Sequence, residues 1–339
     1  MSNNPYSAFD PAAPSEVAPP AVNQPPPPPS QLPPAPRIWP VFLVVLASII
    51  SFLMGSVIAV VLGQWIATGT VATTQEASLK AMEMIKESRL AFSITVIVPQ
   101  IALVIPALLA ALLSPRGFRQ RMKLVRGHWP LWGWFAAAAA TPLVGLVASV
   151  LVGLFLTQSE SLKEMTEMFR KLGQSGFLLP LALMIGGMPA ICEELLFRGY
   201  VQSRLTRRWG AGLGIVVASA VFAVFHLDPI HVLAVFPIGL WMGWLSFRSG
   251  SIIPAMAAHL INNVLSVVSI VLDPSETPDA LAAPAALAMV VILGAGLLGI
   301  AGVAAAAVFF PAPPAKETVA PSSQDGVVLA RLSTGEGAS

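Results

Sequence analysis

Three ionisable residues crowd the stretch Ala190-Ile-Cys-Glu-Glu-Leu-Leu-Phe-Arg-Gly-Tyr200, in a chain otherwise rich in long apolar runs. At membrane depth each charge costs roughly 3 kcal/mol on insertion scales, so the cluster implies internal pairing or chemistry. On a helix Glu194 and Arg198 lie four apart and meet on one face. A carboxylate gripping the guanidinium fork at both nitrogens would neutralise that buried Arg. Glu193 points about 100° away from the pair and is the member left free to react. Its neighbour Cys192 reads as a small buried apolar residue, because a reactive thiolate needs an electropositive setting. The preceding Gly186-Gly187-Met188-Pro189 is a natural place to interrupt the helix, with Pro189 opening a new one.

Further polar residues follow in Phe222-Ala-Val-Phe-His226 and His259-Leu-Ile-Asn-Asn263. In each, the two end residues lie four apart and share a helix face. A carboxylate and a neutral imidazole around a water can take its proton and pass it to a leaving amine. A second His and an Asn amide would supply donors for the oxyanion of a tetrahedral intermediate. Glu193, His226 and His259 are also three ligands, the count of a catalytic zinc site with one open position. The spacing His-Glu-x-x-His is absent, so zinc is not favoured. Asp228 and His231, at a span end, read as interfacial and are set aside as catalytic groups.

The elements that must carry these residues are membrane spans. Charged residues make up 11% of the chain and hydrophobic ones 55%, against about 25% charged in soluble proteins. With a mean hydropathy of +0.76, the expected fold is all-α, a polytopic integral membrane protein. About 20 apolar residues per crossing place eight transmembrane helices near Val41–Ile66, Leu90–Leu113, Trp132–Leu156, Phe177–Arg208, Ala211–Leu227, Ile230–Phe247, Ile252–Leu272 and Pro284–Phe310. Pro99 and Pro106 are kink points in the second, and the last is rich in Ala and Gly. Residues 72–89 and 159–172 carry mixed charges at helical spacing and read as surface helices. The domain plan is a Pro-rich tail over 1–38, a transmembrane domain over 39–310 with its motif-bearing core at about 177–272, and a second disordered tail over 311–339.

Residues 1–36 hold no Lys or Arg and contain a run of five prolines, a composition that buries no core. A plain tether is the default reading of this tail, and a proline-reading domain is its candidate partner. The formal net charge of +2 gives no ground for nucleic acid as a partner. The other partners are the lipid bilayer and a peptide or protein substrate. One cysteine excludes an intrachain disulfide. Loop charge sets orientation: Arg116, Arg119, Arg121, Lys123 and Arg126 share a face with Arg204, Arg207, Arg208 and Arg248. This predicts a multi-pass protein of the plasma membrane with both termini cytoplasmic.

Spacing also puts the reactive groups at one depth. Turns are predicted at Trp209-Gly210 and Ser249-Gly250. Glu193 and His226 each lie about 16 residues from the first, roughly 24 Å along straight helices. His259 and Asn263 then stand about 15 and 21 Å up the next helix. The residues Glu193-Glu194-x-x-x-Arg198, Phe222-x-x-x-His226 and His259-x-x-x-Asn263, in this order, resemble the CPBP family of intramembrane proteases. That family includes the type II CAAX prenyl endopeptidases and the bacteriocin-processing, or Abi, proteins. The resemblance covers about Gly186–Val268. It implies a peptidase in which Glu193 and His226 activate water and His259 and Asn263 form the oxyanion hole. It also implies that Glu194 and Arg198 hold the helix and that Phe222 lines the pocket. The family has been described as metal-dependent and as glutamate-dependent; the glutamate reading, with no cofactor, is favoured here over a zinc protease. A proton-coupled transporter and a non-catalytic membrane scaffold are the readings from other classes. A transporter predicts internal repeats, and none is visible.

Overall fold

The computed structural model describes residues 37–114, 117–273 and 278–312, with the side chains of 278–285 left aside. The expected tails over 1–36 and 313–339 lie outside the described residues. Within them the chain is helical and holds no strand. Apolar helices α1 (Trp39–Thr68), α3 (Arg89–Leu112) and α5 (Leu131–Gly153) are linked by the polar helix α2 (Gln75–Glu87) and the single turn α4 (Phe118–Arg121). Helix α6 (Glu160–Leu172) runs through a π-helical turn into α7 (Leu178–Glu193), a π-helical stretch Glu194–Gln202, and α8 (Ser203–Trp209). Then come α9 (Ala211–Val224), α10 (Pro229–Ser249), α11 (Ile253–Val271) and α12 (Pro278–Phe309).

The expected polar helices form as α2 and α6. Thr74 and Ser159 cap them by accepting from the backbone N–H of Ala77 and Leu162. Each carries an acidic residue in its first turn and a basic one in its last, as the helix dipole favours. Lys86 bonds Glu83 and Lys163 bonds Glu160, both at 2.7 Å. Helix α6 is set off from α7 by a kink at Gly176, whose φ of 86° is left-handed.

Among the described residues seven helical runs are long and apolar enough to cross a membrane, and α9 is a shorter apolar helix. Its 14 residues span about 21 Å against a hydrocarbon core of about 30 Å. It ends at Val224 because the next residues are claimed by α10. Pro229 opens that helix, Asp228 caps it through the N–H of Ile230 and His231, and Leu227 sits at a left-handed φ of 61°.

A second departure concerns Pro189. Helix α7 passes through it unbroken, and the irregularity falls later, where Glu194–Gln202 widens to π geometry. A Pro interior to an apolar helix frees one carbonyl without ending the helix when neighbouring helices pack around it. π turns of this kind recur at functional sites.

Small residues let the helices approach. A Cβ on Gly299 would lie 2.6 Å from the Ala140 nitrogen and one on Gly302 2.8 Å from the Ala136 Cβ, so α12 packs directly on α5. On α1, a Cβ at Gly55 would sit 2.6 Å from the Ala102 Cβ of α3, and the Ser51 hydroxyl donates to the Ala102 carbonyl at 2.7 Å. The cationic loops gather at one end: His128 N–H reaches the Ser249 carbonyl at 3.0 Å and Ile252 N–H the Lys123 carbonyl at 3.1 Å. The turns at Gly210 (φ 83°) and Gly250 (φ 71°) occur where predicted.

Candidate active site

The π stretch packs against α3, α9 and α10 and meets His259 of α11, and it carries the ionisable cluster into the protein interior. Glu194 is fully buried and Arg198 is 1% exposed. Arg198 Nη1 donates to Glu194 Oε1 at 2.8 Å, as the four-residue spacing predicts. The grip is not bidentate: Nη2 turns instead to the Gly239 carbonyl of α10 at 3.2 Å. One turn on, Gln202 Nε2 donates to the Gly243 carbonyl at 2.8 Å. Two glycines four apart on α10 expose these carbonyls to long polar side chains. The guanidinium also stacks over Phe222, its Cζ 4.2 Å from the ring centroid.

His259 joins this pair. Its Nδ1 lies 2.9 Å from Glu194 Oε1, and since a carboxylate only accepts, Nδ1 carries the proton. Its Nε2 faces Glu193 Oε2 at 3.9 Å, too long for a hydrogen bond. His259 therefore belongs to the Glu194–Arg198 cluster, whereas spacing had grouped it with Glu193 and Asn263.

Glu193, 8% exposed, is also not alone. Gln100 of α3 donates from Nε2 to Glu193 Oε1 at 3.0 Å. Glu193 Oε2 and Gln100 Oε1 are buried without a hydrogen-bond partner. Both residues border a cavity of about 140 Å³ together with His226, Phe52, Leu103, Phe197, Phe222 and Phe225. His226 Nδ1 lies 3.2 Å from the Phe222 carbonyl, which fixes the proton on Nδ1 and leaves Nε2 as an acceptor. Phe222 lines this cavity and touches both imidazoles edge-on, with centroids 5.2 Å from His226 and 6.0 Å from His259.

Asn263 stands apart from the cavity. Its Nδ2 donates to the Ile185 carbonyl at 3.3 Å and its Oδ1 accepts from Asn262 at 3.2 Å. Ile185 precedes Glu193 by about two helical turns, so the four groups do not share one level. The depth count assumed straight helices, and the π stretch and the early end of α9 break that assumption. Cys192 is buried, as read. Asp228, set aside as interfacial, caps α10 and accepts from Ser161 of α6 at 3.1 Å. Hydrogen bonds from Ser159 and from the His231 N–H hold its carboxyl below the usual range. His231, also set aside, packs its ring 4.7 Å from that of His226.

Zinc would require Glu193, His226 and His259 to meet at one point. Among the described residues no three His, Cys, Asp or Glu side chains converge in that way. Glu194 holds Nδ1 of His259, and Phe222 packs against both rings.

A bundle of apolar helices with a buried carboxylate, an amide and an acceptor imidazole around one cavity defines a class. The chain is an all-α, multi-pass membrane protein with a polar-lined cavity in its interior. Residues 175–265 match the family described as type II CAAX prenyl endopeptidase Rce1-like, so this segment is similar to CAAX-type proteases. The match includes Glu193, Glu194, Arg198, Phe222, His226, His259 and Asn263, and excludes Gln100. No curated protein and no solved structure matches the chain.

Gln100 is the site residue that sequence reasoning missed. The available signal was a lone amide inside an otherwise apolar span, directly after Pro99. It went unused because no motif partner lies near it in the chain.

Proposed function

We propose that the chain is an intramembrane endopeptidase that hydrolyses a peptide bond of a membrane-associated or prenylated substrate, with water activated by Glu193 and His226. The observation that carries this reading is the shared cavity: Glu193, whose Oε2 has no hydrogen-bond partner, and His226 border the same space. Both are bases, and the phenylalanines around them keep bulk water out.

The water oxygen attacks the carbonyl carbon as one water proton passes to Glu193, and the carbonyl electron pair moves onto oxygen. Collapse of this intermediate breaks the C–N bond, and the departing nitrogen takes the proton back, leaving an acid and an amine. His226 accepts and returns a proton beside Glu193 and steers it toward the leaving group. His259 faces the same carboxylate through Nε2; that nitrogen donates to an oxyanion in the doubly protonated ring. Asn263, bonded to the Ile185 carbonyl away from the cavity, takes no part in this arrangement. Glu194 and Arg198 keep His259 and Phe222 in place.

The test is cleavage of a farnesylated CAAX peptide in proteoliposomes, with terminal proteomics of host membranes carrying wild type or Glu193→Ala. Glu193→Ala and His226→Ala should each lower turnover at least about 100-fold, the usual scale for a general base, with unchanged thermal unfolding. Equal cleavage by wild type and both variants in both assays would sink the proposal.

A further inference from the structure

Gln100 lies on α3, outside the family-matched segment, yet its amide reaches the carboxylate that the proposed chemistry depends on. Its orientation is fixed by that contact: a carboxylate only accepts, so Nε2 faces Glu193 and Oε1 faces away from it. The close α1–α3 packing at Gly55, Ser51 and Ala102 holds this part of α3 in place. Gln100 Oε1 is buried with no donor, as is Glu193 Oε2, and both residues border the cavity. Unpaired acceptors of this kind cost roughly 1–3 kcal/mol each when buried. They persist where a mobile donor serves them.

The cavity of about 140 Å³ exceeds the roughly 10–15 Å³ of probe-occupied volume that one water needs. It therefore has room for a water and an incoming carbonyl group. A water has two hydrogens, and the residues that border the cavity carry acceptors for them: Gln100 Oε1, Glu193 Oε2 and, in the neutral ring, His226 Nε2. A hydrogen held by the amide, which is too weak a base to remove it, leaves the other for Glu193 or His226. The oxygen lone pair is then turned toward the carbonyl carbon.

We propose that Gln100 is part of the reaction centre: its Nε2–H fixes Glu193 and its Oε1 holds and orients the attacking water. This rests on the endopeptidase reading. Gln100 is thus a catalytic contribution from the first half of the bundle to a site otherwise built from residues 193–263. No covalent bond to Gln100 forms. The transferred proton goes to Glu193 and then to the leaving amine, so the balance of the hydrolysis is unchanged.

The experiment compares full-length wild type, Glu193→Ala, Gln100→Met and Gln100→Glu in proteoliposomes on the same farnesylated CAAX peptide, with thermal unfolding measured in parallel. Methionine keeps the length and removes both hydrogen-bonding atoms. Gln100→Met should lower kcat by about 10- to 100-fold, the worth of one hydrogen bond to a charged group. KM should stay within about twofold, and the variant should stay folded at the assay temperature, because the lost donor to Glu193 is offset in part by removal of a buried unpaired acceptor. In Gln100→Glu a protonated carboxyl repeats the donor and acceptor pair. Its activity should be low at neutral pH and recover as pH falls, while wild type does not gain.

Wild-type kcat in Gln100→Met would overturn the inference and leave the endopeptidase reading standing. A fall in Tm that accounts for the loss, with no acid recovery in Gln100→Glu, would reduce Gln100 to a packing residue. If wild type and Glu193→Ala do not differ on the peptide, the endopeptidase reading of this substrate class fails, and the inference falls with it.

Discussion

Replacing Arg198 by methionine should be among the most damaging single changes in the bundle. Arg198 is 1% exposed, bonds Glu194 at 2.8 Å, donates to the Gly239 carbonyl at 3.2 Å and stacks on Phe222 at 4.2 Å. Arg198→Met fills similar space but strands the fully buried Glu194 carboxylate with His259 as its one remaining donor. Breaking a buried pair from one side costs about 3–5 kcal/mol, chiefly as the penalty on the charge left behind. That is a fifth or more of a typical stability of about 5–15 kcal/mol. Removing both charges, in Arg198→Met with Glu194→Gln, leaves no stranded carboxylate, and the amide oxygen still accepts from His259. The double variant should return to within about 1–2 kcal/mol of wild type. Reversible unfolding in mixed micelles, run as a double-mutant cycle with both single variants, measures each term. A cost for Arg198→Met below about 1 kcal/mol, typical of exposed pairs, would refute the reasoning. So would a double variant no more stable than Arg198→Met alone.

Two more expectations follow from contacts away from the cavity. Gly55→Val should force α1 from α3, since even one Cβ would lie 2.6 Å from the Ala102 Cβ; a loss of about 1–3 kcal/mol, together with lower turnover through a displaced Gln100, would show in unfolding and peptide assays. Asp228 is depressed by its bonds to Ser159, the His231 N–H and Ser161. Its stabilising effect is therefore present above the unfolded carboxyl value, near pH 4, and is lost as pH falls through the folded value. Wild type should unfold at a higher temperature than Asp228→Asn at pH 7, with the gap closing toward pH 3; a gap that is constant with pH would contradict this.

Local spacing made much of the site legible. Glu194 and Arg198 pair because residues four apart on a helix must meet, and a charge at that depth must find a partner. Phe222 lies beside His226 for the same reason. The turns at Trp209-Gly210 and Ser249-Gly250 were readable because a left-handed residue between two apolar runs is nearly always glycine. Depth was less legible. Counting residues from turns presumes uniform rise, and it fails where the chain widens at Glu194–Gln202 and where Asp228 and Pro229 begin α10 early. Asn263 consequently sits on Ile185, away from the cavity.

By itself the sequence determined that this chain is an all-α membrane protein, where its apolar runs turn, and which few polar residues have to be buried together. These follow from one-dimensional rules: the length of a crossing, helical periodicity, and the cost of an unpaired charge in hydrocarbon. Only the tertiary structure decided who pairs with whom across helices. It gave His259 to Glu194, Arg198 to the Gly239 carbonyl, and Gln100 to Glu193 from 93 positions away. Such contacts depend on how closely two helices approach and how each is rotated. That is set by packing at small residues such as Gly55, Gly239 and Gly243, and no spacing along the chain encodes it.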